Sequence, residues 1–265
     1  MNVFLKELKA HRRSLIFWCI GVFLMVAAGM GKYAGMAAGG QSMNDLISKM
    51  PKAIQSIIGA GVYDLSTASG FYGVLYLYLA LMAAVHASIL GAGVLSREEQ
   101  DKTAEFLFAK PASRSRIVIF KLLAAFVNII VFNGVTLLSS LAIVGKYSHG
   151  EAVSDDILKL MGGMFILQLI YLLTGTGISA VSRNPRAASS IATGILLATF
   201  LLSMGIDINN KLEGLKYFTP FKYFDAKTLI HGGSFGTGYL VLSALLLAGL
   251  LFITWNFYRN RDLQV

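Results

Sequence analysis

Six long stretches of this chain contain no Asp, Glu, Lys or Arg, and they constrain its fold more than any other feature of the sequence. They cover residues 14–31, 65–96, 122–145, 160–182, 187–206 and 232–258. A helix of about 20 predominantly apolar residues crosses the hydrocarbon core of a bilayer. The sequence therefore predicts an all-α, polytopic membrane protein with six transmembrane helices.

The composition excludes several other classes of protein. Hydrophobic residues make up 55% of the chain and charged residues 14%, whereas ordinary globular chains carry about 25% charged residues. The single cysteine, Cys19, excludes an intramolecular disulfide and a cysteine-based metal cluster. The net charge of +9 is not arranged as a basic stripe interleaved with aromatic residues, so it indicates membrane topology rather than binding of nucleic acid.

We expect residues 1–265 to form one transmembrane domain. The predicted spans, with approximate bounds, are 14–37 (TM1), 71–95 (TM2), 116–145 (TM3), 158–182 (TM4), 187–206 (TM5) and 237–258 (TM6). Ahead of TM1, Val3, Phe4 and Leu8 share one helix face while lysines lie elsewhere. This pattern fits an N-terminal interfacial helix, although a plain positively charged flank has the same spacing.

The basic residues predict which ends of the helices face the cytoplasm. If the N-terminus lies inside, 14 of the 23 Lys and Arg residues fall in cytoplasmic segments. Cytoplasmic loops carry an excess of these residues, and an even number of spans brings both termini to one side. We therefore expect cytoplasmic N- and C-termini, with residues 41–69 and 207–234 outside. The first apolar run lacks a convincing cleavage site, which predicts a retained span.

Residues 96–116, SREEQDKTAEFLFAKPASRSR, form the only charge-dense run between two long apolar segments. Ser96 and Glu99 have the spacing of a capping box, which starts a helix. Pro111 ends it, because proline cannot continue the helical hydrogen bonds. We predict a short amphipathic helix over residues 97–110, at the cytoplasmic surface between TM2 and TM3. It either closes a loop at the interface or contacts another protein.

The same run resembles a motif of a known family. Glu98, Thr103, Glu105, Pro111 and Arg114 are spaced as in the E-x(4)-T-x-E-x-L-x-A-x-P-x-S-R run of ABC-2-type permeases. These are membrane subunits of ABC exporters, and their ATPase is usually a separate chain. The sequence departs from the pattern only mildly, with Lys where the family often has Gly.

The resemblance implies that this segment is the coupling helix that contacts the ATPase subunit. The implied coupling residues are Arg97, Glu98, Glu99, Asp101, Thr103, Glu105 and Pro111. ATP and Mg²⁺ would then be bound by the partner ATPase, with no cofactor or metal in this chain. In agreement, Gly31-Lys32 and Gly145-Lys146 lack the upstream Gly and the following hydroxyl of a P-loop.

A second segment resembles the same family. Residues 219–233 match its S-P-x-x-Y-F-D…L-x-x-G-G segment before the last span, except that Thr219 replaces Ser. The resemblance implies a re-entrant segment over about residues 217–235, with short helices that dip back from the outer face. Phe221 and Tyr223 are therefore candidates for the substrate path. Aromatic residues also suit a membrane–water interface, so a belt without a substrate role is the alternative.

His86 is the one ionisable side chain that we predict near the middle of the membrane. It precedes Ser96 by ten residues, or about 15 Å at 1.5 Å per residue, which is about half of a 30 Å hydrocarbon core. Tyr72 and Tyr76 share its helix face. Such a residue faces a bundle interior or a wet cavity. We therefore assign His86, Tyr72 and Tyr76 to a candidate substrate path, with a packed, neutral histidine as the alternative.

The predicted function is that of a permease subunit of an ATP-driven exporter in a bacterial plasma membrane. Besides the ATPase and the lipid bilayer, a second permease copy is the expected partner, in a homodimer or a heterodimer. The ridge of Gly31, Gly35 and Gly39 allows close helix packing, within or between subunits. Short external loops favour an amphiphilic cargo, such as an antimicrobial peptide, drug or lipid, and a role in antibiotic resistance.

Two other classes of function compete with this prediction. An ion-coupled secondary transporter would use His86, but no acidic relay, inverted repeat or pair of broken helices accompanies it. A membrane enzyme would need a catalytic constellation. The sequence has no His-Glu-x-x-His motif, and Thr103 stands where the Glu-Glu-x-x-x-Arg motif of CAAX-type proteases needs Arg. No catalytic residue is assigned.

Overall fold

The structure, a computed structural model, describes residues 3–38, 49–51, 54–55, 63–100, 114–148, 153–182, 184–230 and 233–260. Most of these belong to α1 (Val3–Ala38), α2 (Ala68–Gln100), α3 (Arg114–Tyr147), α4 (Ser154–Val181), α5 (Pro185–Ile208), α6 (Ala226–Leu229) and α7 (Thr237–Asn260). Six of the described helices are long and apolar enough to cross a membrane, and the described residues include no strand. The predicted all-α fold with six spans is confirmed.

The long helices run alternately up and down, so the bundle has two ends. At one end, Lys121 near the start of α3 contacts Glu7 near the start of α1 and Val94 near the end of α2. We call this the Lys121 end. At the other end, Lys222 contacts Asp207 near the end of α5, and we call it the Lys222 end.

Two helices, α1 and α2, extend at least five residues beyond one end of their predicted spans. Residues 3–13 are helical and continue into the first span as part of α1, and their position at the membrane interface stays a prediction. The second helix, α2, runs through Ser96 to Gln100, and the Ser96 hydroxyl donates to the Ala92 carbonyl at 2.6 Å. Serine inside a helix commonly bonds the carbonyl one turn back. Ser96 is therefore not the N-cap of a new helix, and the predicted capping box is wrong.

The closest packing in the bundle is between α2 and α4, where two glycines face each other. A Cβ atom added to Gly91 would lie 2.1 Å from the Leu172 carbonyl oxygen, and one added to Gly175 would lie 2.5 Å from the Ser88 carbonyl oxygen. Small residues let helix backbones approach in this way. The crossing places α2 and α4 at the centre of the bundle, whereas α1 and α7 leave most of their apolar surface exposed.

The segment after α5 packs back onto the Lys222 end. It forms two 3₁₀ helices, Asn210–Phe218 and Pro220–Lys222, followed by α6. Thr219 between them is buried, and its hydroxyl donates to the Thr199 carbonyl of α5 at 2.8 Å. Short helices thus occupy part of the segment that we predicted as re-entrant; its position relative to a membrane stays a prediction.

Candidate functional site

The predicted coupling helix lies almost entirely outside the described residues. Residues 101–113 fall outside them, and only the backbone is described for residues 98–100. This covers Glu98, Glu99, Asp101, Thr103, Glu105 and Pro111. Arg97 is the exception, and its side chain is exposed near the end of α2. The coupling role of the segment stays a prediction.

A buried lysine connects the helices on either side of that segment with α1. Lys121 of α3 is fully buried, and its Nζ lies 3.0 Å from Oε1 of Glu7 in α1. The same Nζ donates to the Val94 carbonyl of α2 at 2.7 Å. Glu7 is 4% exposed, and its Oε2 lies 3.7 Å from Nε2 of His11. Three helices therefore meet at one charged contact, which we call the Lys121 ion pair.

The energetics of the Lys121 ion pair suit a role in orientation. Forming a buried pair gains little net energy, because both charges lose their hydration, but removing one partner typically costs about 3–5 kcal/mol. The contact therefore favours one arrangement of α1, α2 and α3 over alternatives that would separate the charges. Since Val94 precedes the predicted coupling segment and Lys121 follows it, the two flanks of that segment meet at Lys121, which also binds Glu7 of α1.

A cavity of about 230 Å³ lies near this end of the bundle, between α1, α2, α3 and α5. The polar and aromatic residues in its wall include His11, Trp18, His86, Arg97, Asn128 and Ser189. No Asp or Glu occurs among the described residues that line it. We call it the His86 cavity. Its wall combines a positive charge, an indole ring and several hydrogen-bonding groups.

His86 lines this cavity but is itself 4% exposed. Its ring stacks on Phe132 of α3, with 4.9 Å between ring centroids, and lies 5.5 Å from Trp18 of α1. Its Nδ1 has no hydrogen-bond partner among the described residues. The packed and the cavity-lining interpretations of His86 therefore both describe part of its surroundings, and its role in transport stays a prediction.

The other residues predicted for the substrate path lie apart from His86, toward the Lys222 end. The Tyr72 hydroxyl donates to Oγ of Ser140 in α3 at 2.6 Å, so it holds two helices together. Tyr76 and Phe221 line a second, smaller cavity of about 40 Å³. Tyr223 stacks on Tyr239 of α7, with 5.3 Å between ring centroids. The structure therefore does not bring the five predicted path residues together in one cavity.

A network of four charged side chains borders the smaller cavity. Lys222 Nζ lies 2.7 Å from Oδ1 of Asp207 and 3.0 Å from Oδ2 of Asp225. Lys227 Nζ lies 2.9 Å from the same Asp207 oxygen. Asp225 also accepts from the backbone N–H of Lys227 at 3.1 Å and so caps α6. The network ties the end of α5 to the aromatic segment that follows it.

The network also sets the protonation of its lysine and of a nearby tyrosine. Burial lowers the pKa of Lys222, but Asp225 and Asp207 outweigh it, so the net pKa is raised and the ammonium group stays charged. Burial, together with the charges of Asp225 and Asp207, raises the pKa of Tyr63, which keeps its hydroxyl protonated beside the carboxylates. A charged lysine and a protonated phenol are both donors, which matches the two acceptors.

The described residues offer no evident metal site. Within the described ranges, no three His, Cys, Asp or Glu side chains come close enough together to hold a metal ion. The groups that could bind a ligand are instead hydrogen-bonding and charged side chains in the two cavities.

Sequence reasoning missed both charged contacts. Lys121 immediately precedes the charge-free stretch 122–145, and nothing in the local sequence indicates a partner for it. Asp207, Lys222 and Lys227 were assigned to an outer segment without considering pairs between them. A usable signal was present in one case, since Asp207 and Lys222 flank an aromatic run that could bury their side chains.

Comparison with protein families gives one match that covers nearly the whole chain. The family described as ABC-2 family transporter protein matches residues 1–262. A comparison with curated proteins gives no match.

Proposed function

This chain belongs to the ABC-2 transporter family, and we propose that it is the permease subunit of an ATP-driven exporter that works with a separate ATPase subunit. The match over residues 1–262 carries this proposal, because it spans all six membrane helices. The chain contains no P-loop sequence, so hydrolysis of ATP by that mechanism requires a partner chain.

The proposed orientation puts the Lys121 end in the cytoplasm. This end carries the predicted coupling segment, residues 97–110, and the basic residues that favour the cytoplasmic side. The Lys121 ion pair supports a coupling role, because a force applied between α2 and α3 would reach α1 directly through Glu7. Movement of the ATPase would thereby change the packing of three spans together.

A second copy of the permease is the proposed partner within a bacterial plasma membrane, as a homodimer or a heterodimer. A Cβ atom at Gly31 or Gly35 would meet no described atom within 4 Å, so the described part of the chain does not use this small-residue face for packing. Small residues favour close approach of helices in membranes. The proposed cargo is an amphiphile, such as an antimicrobial peptide, a drug or a lipid.

The coupling proposal predicts the effect of a charge reversal. In the Glu98→Lys, Glu105→Lys double variant, co-expressed with the cognate ATPase, we expect normal insertion, weakened binding of the ATPase and a proportional loss of transport. Two changes are combined because a single exposed ion pair is often worth less than about 1 kcal/mol. Co-purification of the ATPase and transport in membrane vesicles are the measurements.

A matched control distinguishes this effect from a general effect of charge. Glu213 is an exposed carboxylate at the Lys222 end, paired with Lys216 at 3.0 Å. Glu213→Lys should leave ATPase binding unchanged. Unchanged complex formation and transport in the double variant would contradict the coupling role of residues 97–110.

His86 provides a test of the alternative, an ion-coupled secondary transporter. The specific observation in its favour is a buried histidine with an unpaired Nδ1 beside a cavity. For the ATP-driven exporter we expect His86→Leu to lower transport while ATPase association remains intact. Transport that needs no ATPase and depends on a proton gradient, lost in His86→Leu, would instead support the alternative. Normal transport in well-expressed His86→Leu protein would remove His86 from the path.

A further inference from the structure

We propose that the His86 cavity binds a phosphate ester that carries free hydroxyl groups, either as a soluble molecule or as a lipid headgroup. The described residues that line the cavity all belong to this chain, so binding can be measured on the permease by itself. The inference therefore does not depend on pairing with an ATPase.

Three buried polar atoms of the cavity wall lack a hydrogen-bond partner among the described residues. One of them, His11 Nε2, lies 3.7 Å from Glu7 Oε2, and the other two belong to Asn128 and His86. Asn128 is 1% exposed, and its Nδ2 donates to the Ala124 carbonyl of its own helix at 2.8 Å, while its Oδ1 has no hydrogen-bond partner among the described residues. His86 Nδ1 likewise has no hydrogen-bond partner among the described residues. Buried polar atoms are almost always hydrogen-bonded, so a group in the cavity would satisfy both. Because an amide oxygen only accepts, that group must include a donor such as a hydroxyl.

The charges around the cavity favour an anion in addition. The guanidinium group of Arg97 lines it, and no carboxylate does so among the described residues. Glu7, which pairs with the cavity-lining His11 at 3.7 Å, is also engaged by Lys121 at 3.0 Å. A guanidinium group binds phosphate oxygens through paired, charge-assisted hydrogen bonds. Because Arg97 lies nearer the end of α2 than His86, the phosphate would lie toward the Lys121 end and the hydroxyl groups deeper.

Gly93 keeps the cavity open. A Cβ atom at Gly93 would meet no described atom within 4 Å, unlike one at Gly91 two residues earlier, so close helix packing does not account for this glycine. Because glycine destabilises a helix relative to alanine, we attribute Gly93 to the open space that it leaves in the cavity. The cavity volume of about 230 Å³ is several times larger than the roughly 30 Å³ that a water molecule occupies in the liquid. Trp18 adds an apolar ring against which the carbon face of a polyol can pack.

The binding test uses the small number of tryptophans. The chain has two, so the Trp255→Phe variant leaves Trp18 as the only indole and as a reporter in the cavity wall. In phosphatidylcholine nanodiscs, we expect a saturable change of its fluorescence with glycerol 3-phosphate or with increasing phosphatidylglycerol. Saturation with the first identifies a soluble ligand, and saturation with phosphatidylglycerol alone identifies a lipid headgroup. No saturable change with either probe would overturn the proposal.

Two variants in the same background assign the signal to the cavity. Asn128→Leu should raise the dissociation constant about tenfold, a typical consequence of a lost buried hydrogen bond, and Gly93→Leu should abolish binding by filling the space. Thr136→Ala, which also loses a hydrogen bond within α3, and Gly134→Leu, also without neighbours within 4 Å, should bind normally. If Asn128→Leu does not fold, Gly93→Leu decides alone. Unaltered binding in folded Gly93→Leu protein would overturn the assignment.

Discussion

Lys121→Met should lower the free energy of unfolding of the purified permease by about 3–5 kcal/mol. The substitution leaves the Glu7 carboxylate buried without its main partner and removes the donor to the Val94 carbonyl. Much of the expected loss comes from the uncompensated charge rather than from the lost attraction. The effect is measured by thermal or denaturant unfolding in a defined detergent, with circular dichroism to confirm helical folding of the parent protein.

A second substitution identifies the cause of that loss. Glu7→Gln combined with Lys121→Met removes both charges, so we expect the double variant to be more stable than Lys121→Met alone. Lys216 belongs to an exposed pair with Glu213, and Lys216→Met should leave the melting temperature unchanged. A double variant less stable than Lys121→Met would show that the contact acts through packing and would contradict this account of the ion pair.

Gly91→Ala and Gly175→Ala should each disrupt folding more than the about 1–3 kcal/mol that is typical of an overfilled core. Each added Cβ atom would meet backbone atoms of the facing helix, at 2.1 Å and 2.5 Å respectively. Backbone atoms cannot rotate away as a flexible side chain does, so α2 and α4 must separate. We expect low yield of folded protein and a lower melting temperature, measured by size-exclusion chromatography and thermal unfolding.

Gly93→Ala is the matched control on the same helix. Its Cβ atom has open space around it, and alanine is the better helix former, so stability should stay equal or rise by up to about 1 kcal/mol. The Gly91→Ala and Gly175→Ala substitutions open the same helix contact. The double variant should therefore lose less stability than the sum of the losses of the two single variants. Wild-type stability of either single variant would show that the helices do not meet as closely as described.

The number of spans could be predicted from the sequence because charge cannot be tolerated in a lipid-facing helix. The same criterion does not predict the partner of Lys121. Its charge marks the edge of an apolar stretch, but the residue continues the helix and is neutralised by Glu7, more than a hundred positions earlier in the chain. No local pattern contains such a pairing, since it depends on how α1 packs against α3.

Local patterns also failed where an apolar helix continues through a polar sequence. Ser96 and Glu99 have the spacing of a helix start. Serine also occurs inside helices, however, where its hydroxyl bonds the carbonyl one turn back, as Ser96 bonds Ala92 in α2. The glycines show a similar ambiguity. The sequence alone does not distinguish Gly91 from Gly93 in a chain with 27 glycines. In the structure, Gly91 allows a helix crossing and Gly93 borders a cavity.

The uninterrupted length of α2 and the position of its glycine crossing together define a lever with unequal arms. At 1.5 Å per residue, Gly91 lies about 14 Å from the Gln100 end of the helix and about 35 Å from the Ala68 end. If the helix pivots rigidly at this crossing, a small displacement beside the predicted coupling segment produces one about two and a half times larger at the Lys222 end. Spin labels at both ends of α2 would measure that ratio directly, and equal displacements would indicate translation rather than pivoting.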